Sequence, residues 1–269
     1  MTATNHGRAR GVTLLELLVV LMILSIVLTA AVKTWDVTLE RGRAQTTASK
    51  LNQLVSVIVG DPDYIVAGQR ADFGFVGDEG HVPSSLRDLV VRPTLSDSVW
   101  RGPYIRSTFN QSADGYRIDG WGDTIIYGYE AYGNNPDSLW VRSRGGRGFA
   151  DRTRWQTLNF QYDYDDLVNQ EVVCNIVDVR GDPPPDTLRP GLIVTLYRPV
   201  DGKLFADEKT GASAAGFHYF GIPQGTHRLV AMYININAIP AETSMTTQDV
   251  PVYPGIGARD IRMRLPIDW

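Results

Sequence analysis

From Val12 to Val32 the chain reads VTLLELLVVLMILSIVLTAAV, a run in which Glu16 is the only charge. As a helix this stretch is about 32 Å long, enough to cross the hydrocarbon core of a bilayer. Beyond it Ala44, Ala48, Leu51, Val55 and Ile58 recur at three- and four-residue steps, with Leu54 and Val59 alongside, while Arg41, Arg43, Gln45 and Lys50 fall mostly elsewhere. That periodicity predicts an amphipathic continuation of the same helix. Gly60-Asp61-Pro62 stops it, giving roughly 48 residues and about 72 Å in all. Gly42 is the weak interior point, costing about 1 kcal/mol against alanine. Residues 61 to 155 are turn-rich and aromatic, and Ile125, Tyr127 and Tyr129 alternate with Ile126 and Gly128 as in a half-buried strand. After Trp155 β-rich runs recur between turns: 158–164, 172–179, 192–197, 217–220, 228–236, 249–253 and 260–265. Breakers such as Asp182-Pro183-Pro184-Pro185, Pro199-Val200-Asp201-Gly202 and Tyr253-Pro254-Gly255 separate them, which predicts an antiparallel sandwich.

Composition narrows the classes. With 269 residues, 43% hydrophobic and 21% charged, the chain has room for one large domain or two small ones, and disorder, collagen and a disulfide scaffold are excluded. A net charge of -4 argues against an obligate nucleic-acid binder. The single cysteine, Cys174, forms no internal disulfide and lies in an apolar strand, as a small buried hydrophobe would. Residues 1–11 are polar and carry Arg8 and Arg10, a short leader suited to the cytoplasmic side, although Lys33, Arg41 and Arg43 beyond the span weaken the orientation signal. A secretory signal peptide cut near Thr29-Ala30-Ala31 is one reading, but the apolar run exceeds the usual ~7–15 residues and contains a carboxylate. A plain anchor explains the length and leaves Glu16 unexplained. At membrane depth that carboxylate costs several kcal/mol unless it is protonated or paired, so it needs a partner.

Gly11-Val12-Thr13-Leu14-Leu15-Glu16 followed by an unbroken apolar helix resembles the prepilin signature of type IV pilins and type II secretion pseudopilins. The resemblance implies cleavage after Gly11 by a prepilin peptidase, N-methylation of Val12, and pairing of Glu16 with the terminal amine of a neighbouring subunit during assembly. A buried carboxylate met by an ammonium is physically tolerable. Two positions depart from the family: Val12 stands where Phe or Met is usual, and no proline lies near Lys33. The segments His81-Val82-Pro83-Ser84-Ser85-Leu86-Arg87-Asp88-Leu89, Gly102-Pro103-Tyr104-Ile105 and Asp119-Gly120-Trp121-Gly122-Asp123 resemble the head of the major secretion pseudopilin, with Gly120 in place of a proline and Asp123 in place of an asparagine. That family's next loop carries calcium, which would make Asp151 a ligand here. Arg144 falls where the first aspartate is expected and opposes a hard cation. The loop Arg142–Arg154 carries +4, read as a solvated loop, as a salt-bridging surface toward a neighbouring subunit, or as a nucleic-acid contact, the last against the overall charge. Gly191–Leu196 and Phe217–Leu229, with its Ile222-Pro223-Gln224-Gly225 turn, resemble the carboxypeptidase-regulatory or transthyretin-like fold, His227 taking the place of the usual tyrosine.

The implied fold class is α+β: a pilin fold, with a long N-terminal helix packed on a small antiparallel sheet, followed by an all-β Ig-like or transthyretin-like sandwich. Its parts are a leader at 1–11, a transmembrane and stalk helix at 12–60, a head at 61–157 and a sandwich at 158–269. The implied partners are copies of itself or other pilins, the prepilin peptidase, an inner-membrane assembly platform, and the membrane before assembly, with the globular part periplasmic or at the cell surface.

Nothing in the sequence forms a catalytic constellation. His6, His81, His218 and His227 have no metal-ligand spacing, and there is no phosphate loop, nucleophile elbow or dinucleotide fingerprint. Asp163, Asp165 and Asp166 read as a solvated linker before a cation site, and Arg180-Gly181-Asp182 is a tripeptide that chance produces easily. A filament subunit is therefore the leading reading, a surface-displayed binding or adhesion module on a pilin stalk the alternative, and an enzyme a distant third. Loss of the leader would remove Arg8 and Arg10 and take the formal charge from -4 to -6.

Overall fold

The computed structural model describes residues 14–94, 99–106, 113–132, 135–146, 152–211, 216–235 and 242–269. Helix α1, Leu14–Val59, is continuous through Lys33 and Gly42. It ends where the breakers predict: Gly60 takes φ +91°, its N–H donates to the Ser56 carbonyl at 2.6 Å, and a Cβ there would lie 2.5 Å from the Asp72 carbonyl oxygen. Only the second half of α1 is buried, through Thr47, Leu51, Leu54, Ile58 and Val59. The stripe begins at Thr47, and Ala48, placed on it by periodicity, is exposed. A threonine can lead a buried stripe here because its hydroxyl donates to the Arg43 carbonyl at 2.9 Å and accepts the Gly120 N–H at 2.9 Å, so no polar atom is stranded.

The head begins with the short pair β1 (Ile65–Val66) and β2 (Gln69–Arg70), then α2 (Gly74–Glu79) and a 3₁₀ turn at Leu86–Leu89. Strands β3 (Ile126–Tyr132), β4 (Asn135–Ser143) and β5 (Gln156–Asn159) form an antiparallel sheet in that order. Leu51, Leu54 and Ile58 of α1 share one core with Phe75, Leu89 and Leu139, and with Leu167 of α3 (Tyr164–Val168). The run 158–164, read from sequence as the first sandwich strand, is divided: its beginning completes the head sheet, and its end turns into α3. Alternation of Leu158 and Phe160 signals a strand but not its sheet. Asp163 and Asp166 open α3, the Asp166 carboxylate accepting the Asp163 N–H at 3.4 Å, so two of the three clustered acids serve a helix start.

The sandwich comprises β6 (Gln170–Val177), β7 (Leu192–Val200), β8 (Lys203–Thr210), β9 (Phe217–Ile222), β10 (Gly225–Asn235), β11 (Glu242–Val252) and β12 (Ala258–Arg264). A four-stranded sheet, β11-β10-β7-β8, faces a three-stranded one, β12-β6-β9. Cys174, Val194, Tyr219, Leu229 and Met263 lie in the shared core. All pairs are antiparallel except β12 with β6, which runs parallel. The chain leaves β11 in one sheet and enters β12 in the other through the turn around Tyr253–Gly257, and a strand that changes sheets is not bound to the direction a hairpin imposes. Residue 236, assigned to a strand from sequence, lies outside the described residues.

Head and sandwich are bolted together at the far end of α1. The amide of Gln224, in the turn between β9 and β10, donates to the carbonyls of Val59 at 2.7 Å and Phe73 at 3.0 Å. Arg70 adds its guanidinium to the same Val59 carbonyl at 2.8 Å and to that of Asp72 at 2.7 Å. The last carbonyls of a helix have no partner within it, and here both domains supply one. Backbone bonds from Gln224 to Leu167, Gly255 to Asp166 and Gly202 to Glu79 extend the seam at 2.7, 3.0 and 2.9 Å. At Gly80 a Cβ would stand 2.3 Å from the Pro199 carbonyl oxygen, so only glycine permits this approach.

Candidate functional site

The apolar half of α1 packs on none of the other described elements. From Leu14 to Leu28 every large apolar side chain is 46–83% exposed, on all faces of the helix. A helix that is apolar all round belongs in lipid or inside a larger assembly. Its hydroxyls suit such a place, because each folds back onto its own helix: Ser25 donates to Met22, Thr29 to Ser25, Thr34 to Ala30 and Thr38 to Thr34, at 2.8–2.9 Å. No hydroxyl among these has to find a partner in a surrounding without water. Glu16 stands in the first described turn of α1, where the positive end of the helix dipole favours a carboxylate. Gly11 and Val12, the predicted processing residues, lie outside the described residues, as does Asp151.

Residues 7–32 match the family model described as the prokaryotic N-terminal methylation motif. The motif points to a type IV pilin-like or pseudopilin precursor of the kind processed by prepilin peptidase, and together with the apolar helix it fits a membrane-anchored precursor. The match stops where the apolar run stops, so it speaks for the anchor and leaves head and sandwich to their own geometry. No curated protein and no solved structure matches the chain.

Where α1 emerges from its apolar half, the head grips it through the turn Asp119–Asp123. Trp121 donates its indole N–H to Glu40 at 2.7 Å, and Arg154 donates to the other oxygen of the same carboxylate at 2.8 Å. The Trp121 bond, with help from Arg154 and against some desolvation, holds the Glu40 carboxyl below its usual range. Lys50 donates to the carbonyls of Gly115 and Ile118 at 3.0 and 2.6 Å. Gly120 comes so close that a Cβ would be 2.3 Å from the Arg43 carbonyl oxygen, so a glycine here is a steric requirement of this docking. Buried Asp119 organises the turn, its two oxygens accepting the N–H groups of Trp121 and Asp123 at 2.9 and 2.8 Å and the Ser143 hydroxyl at 2.5 Å. Ser143 in turn accepts the Gly145 N–H at 3.1 Å. The described ends of the loop expected to hold calcium are thus tied down by protein bonds. Among the described residues no group of three or more histidines, cysteines or acids is placed to hold a metal.

A concavity of about 1040 Å³ opens between head and sandwich, lined by Phe73, Asp78, Tyr104, Tyr197, Val230 and Met245 among others. Asp78 accepts the Tyr104 hydroxyl at 2.9 Å and faces Arg101 at 3.5 Å. Burial raises its pKa, and the Tyr104 bond and Arg101 work against that rise. No sequence signal marked this cleft, because its walls come from five stretches of chain that meet only in three dimensions.

The remaining sequence candidates have structural occupations. His227 is buried and its Nε2 lies 2.7 Å from the Pro223 carbonyl, while His218 lies 3.1 Å from Glu171. Arg180 pairs with Asp268, and the Asp182 carbonyl accepts the Trp269 indole at 2.9 Å, so Arg180-Gly181-Asp182 is folded onto the C-terminal residues. Cys174 is buried in the sandwich, and burial lifts its thiol pKa to about 12.

Proposed function

We propose that the chain is a structural subunit of a type IV pilus-like or type II secretion pseudopilus filament. Prepilin peptidase cleaves after Gly11, Val12 becomes the methylated N-terminus, and the apolar half of α1 passes from the inner membrane into the filament interior through the assembly platform. There Glu16 meets the terminal amine of a neighbouring pilin. Head and sandwich face the periplasm or the cell surface. The observation that supports this most is an apolar helix left bare by the other described residues, with every described hydroxyl answered internally and a single acidic side chain one turn past the expected cleavage site. Mass spectrometry of the N-terminus in assembled material tests it. A methylated chain starting at Val12 is expected; a start at Met1 or Val32 overturns the reading.

The cleft supports a second reading, a binding or adhesion module displayed on the same stalk. Val230→Arg or Met245→Arg then abolishes surface binding while assembly persists; binding that survives both substitutions removes the cleft from consideration.

A further inference from the structure

The end of the head nearest the apolar half of α1 has a charge opposite to the molecule as a whole. Residues 33–43 carry Lys33, Arg41 and Arg43 against Asp36 and Glu40, a net of +1. The end of β4 and the described part of the loop after it add Arg142, Arg144, Arg152 and Arg154 with no acid, a further +4. These regions sum to +5 in a chain of -4, which leaves -9 for the rest. The loop reaches this level of the helix because Arg154 and Trp121 both bond to Glu40. Aromatic rings lie among the cations. Trp35 is 68% exposed, three residues past the apolar run. Arg142 lies over the rings of Trp140 and Trp155 at 4.3 and 5.1 Å, and Arg152 over Trp155 at 5.2 Å.

Geometry sets what this face can meet. If the apolar run fills the hydrocarbon core, Lys33 and Trp35 sit among the lipid headgroups, where amphipathic rings and long cationic side chains are favoured. Arg41 and Arg43 then stand about 13–17 Å above Val32 along an upright helix. That is within about one Debye length of the headgroup layer, and closer if the helix tilts. Cations so placed are attracted to anionic lipid, and the attraction fades over that same distance.

We propose that this basic, tryptophan-bordered collar docks the head on the anionic phospholipid headgroups of the leaflet from which α1 emerges, and so holds the unassembled subunit in a fixed orientation. The proposal rests on the reading that α1 crosses the membrane. It assigns Arg41, Arg43, Arg142, Arg144, Arg152 and Arg154 a partner that the subunit leaves behind when it enters a filament.

The test uses the full-length chain in lipid nanodiscs containing either phosphatidylglycerol or phosphatidylcholine alone. A fluorophore on Thr124→Cys reports contact through quenching by headgroup spin-labelled lipid. The native thiol of Cys174 is buried and does not compete for the label. Quenching is expected to be several-fold stronger in anionic discs, to fall to the neutral-disc level in Arg41→Gln/Arg43→Gln/Arg152→Gln or at high salt, and to be kept by the matching lysine variant. Equal quenching in both lipids overturns the proposal, as does a glutamine variant that docks unchanged. If short duplex DNA binds the collar and displaces the head from anionic discs at low concentration, the surface reads nucleic acid and the proposal also falls. Quenching of Trp35 by lipid brominated in its acyl chains separates the two levels: with Trp35 unquenched, the membrane-crossing reading has failed; with Trp35 quenched and the head undocked, only the collar has failed.

Discussion

The two halves of α1 are one helix in geometry and two materials in chemistry. Before residue 33 large apolar side chains point in every direction and lie exposed, packed on no other described element; from Thr47 to Val59 one narrow stripe is buried to the last few per cent and the other faces are wet. The first half is therefore specified by what surrounds it outside the molecule, and changes there should leave the fold alone. The second half is specified by the head and, at its last carbonyls, by the sandwich, so changes there should be felt as stability. Substitution experiments can set one half against the other.

The largest effect is expected from cutting the chain after Asn169. The head then loses the Gln224 bonds to Val59 and Phe73 and the backbone seam at Leu167, Asp166 and Glu79. Several buried polar groups left without partners, at about 1–3 kcal/mol each, are comparable with the whole stability of a domain. Near-ultraviolet circular dichroism should show a head without a cooperative melting transition; a truncated head that melts like the intact protein would show that the two domains are independent. Next comes Leu54→Ala, which empties a fully buried site in the head core and should lower the unfolding free energy by about 2–5 kcal/mol in urea titrations. The same substitution at Leu21, on the bare half, should leave that titration unchanged.

A smaller, pH-dependent effect lies in the sandwich. Burial pushes the His227 pKa down to about 4, with the Pro223 contact opposing and Arg198 adding to the depression. The unfolded chain takes up a proton near the ordinary histidine value while the folded one resists, so the contribution is complete above about pH 6.5 and is lost as pH falls toward 4. It amounts to about 3 kcal/mol at most. His227→Gln should flatten the stability curve between those values; a curve of unchanged slope would assign the dependence to other groups. The smallest effect is at Gly42, exposed in α1 with nothing within 4 Å of a built Cβ. Gly42→Ala should stabilise by up to about 1 kcal/mol, read as a slightly higher melting temperature.

Much of this contrast was legible in the sequence, since periodicity separates the two materials of α1 and Gly60-Asp61-Pro62 ends the helix at its true place. Legibility fails where a residue's role depends on a distant partner. Thr47 looks too polar to lead a buried stripe until Gly120 is seen to donate to it. Strand β8, Lys203–Thr210, is mostly exposed at a sheet edge and carries no clean alternation, so its sequence reads as loop. The polar first part of β11, rich in threonine and exposed, extends before the 249–253 run for the same reason: its side chains carry no apolar alternation. Gln224 looks like a free position in a Pro-x-Gly turn, and nothing local says that it caps a helix more than 160 residues earlier. The N-terminal methylation motif, by contrast, is contiguous over residues 7–32 and so is legible without any partner elsewhere in the fold.

The separation of the two halves is tested most directly at Glu16. In cells expressing Glu16→Ala, the amount of chain in sheared or sedimented filaments should be measured beside the melting curve of the same chain extracted from membranes. The account predicts assembled material reduced to background with the melting curve unchanged. Filaments at the native level, or a head that melts early, would contradict it.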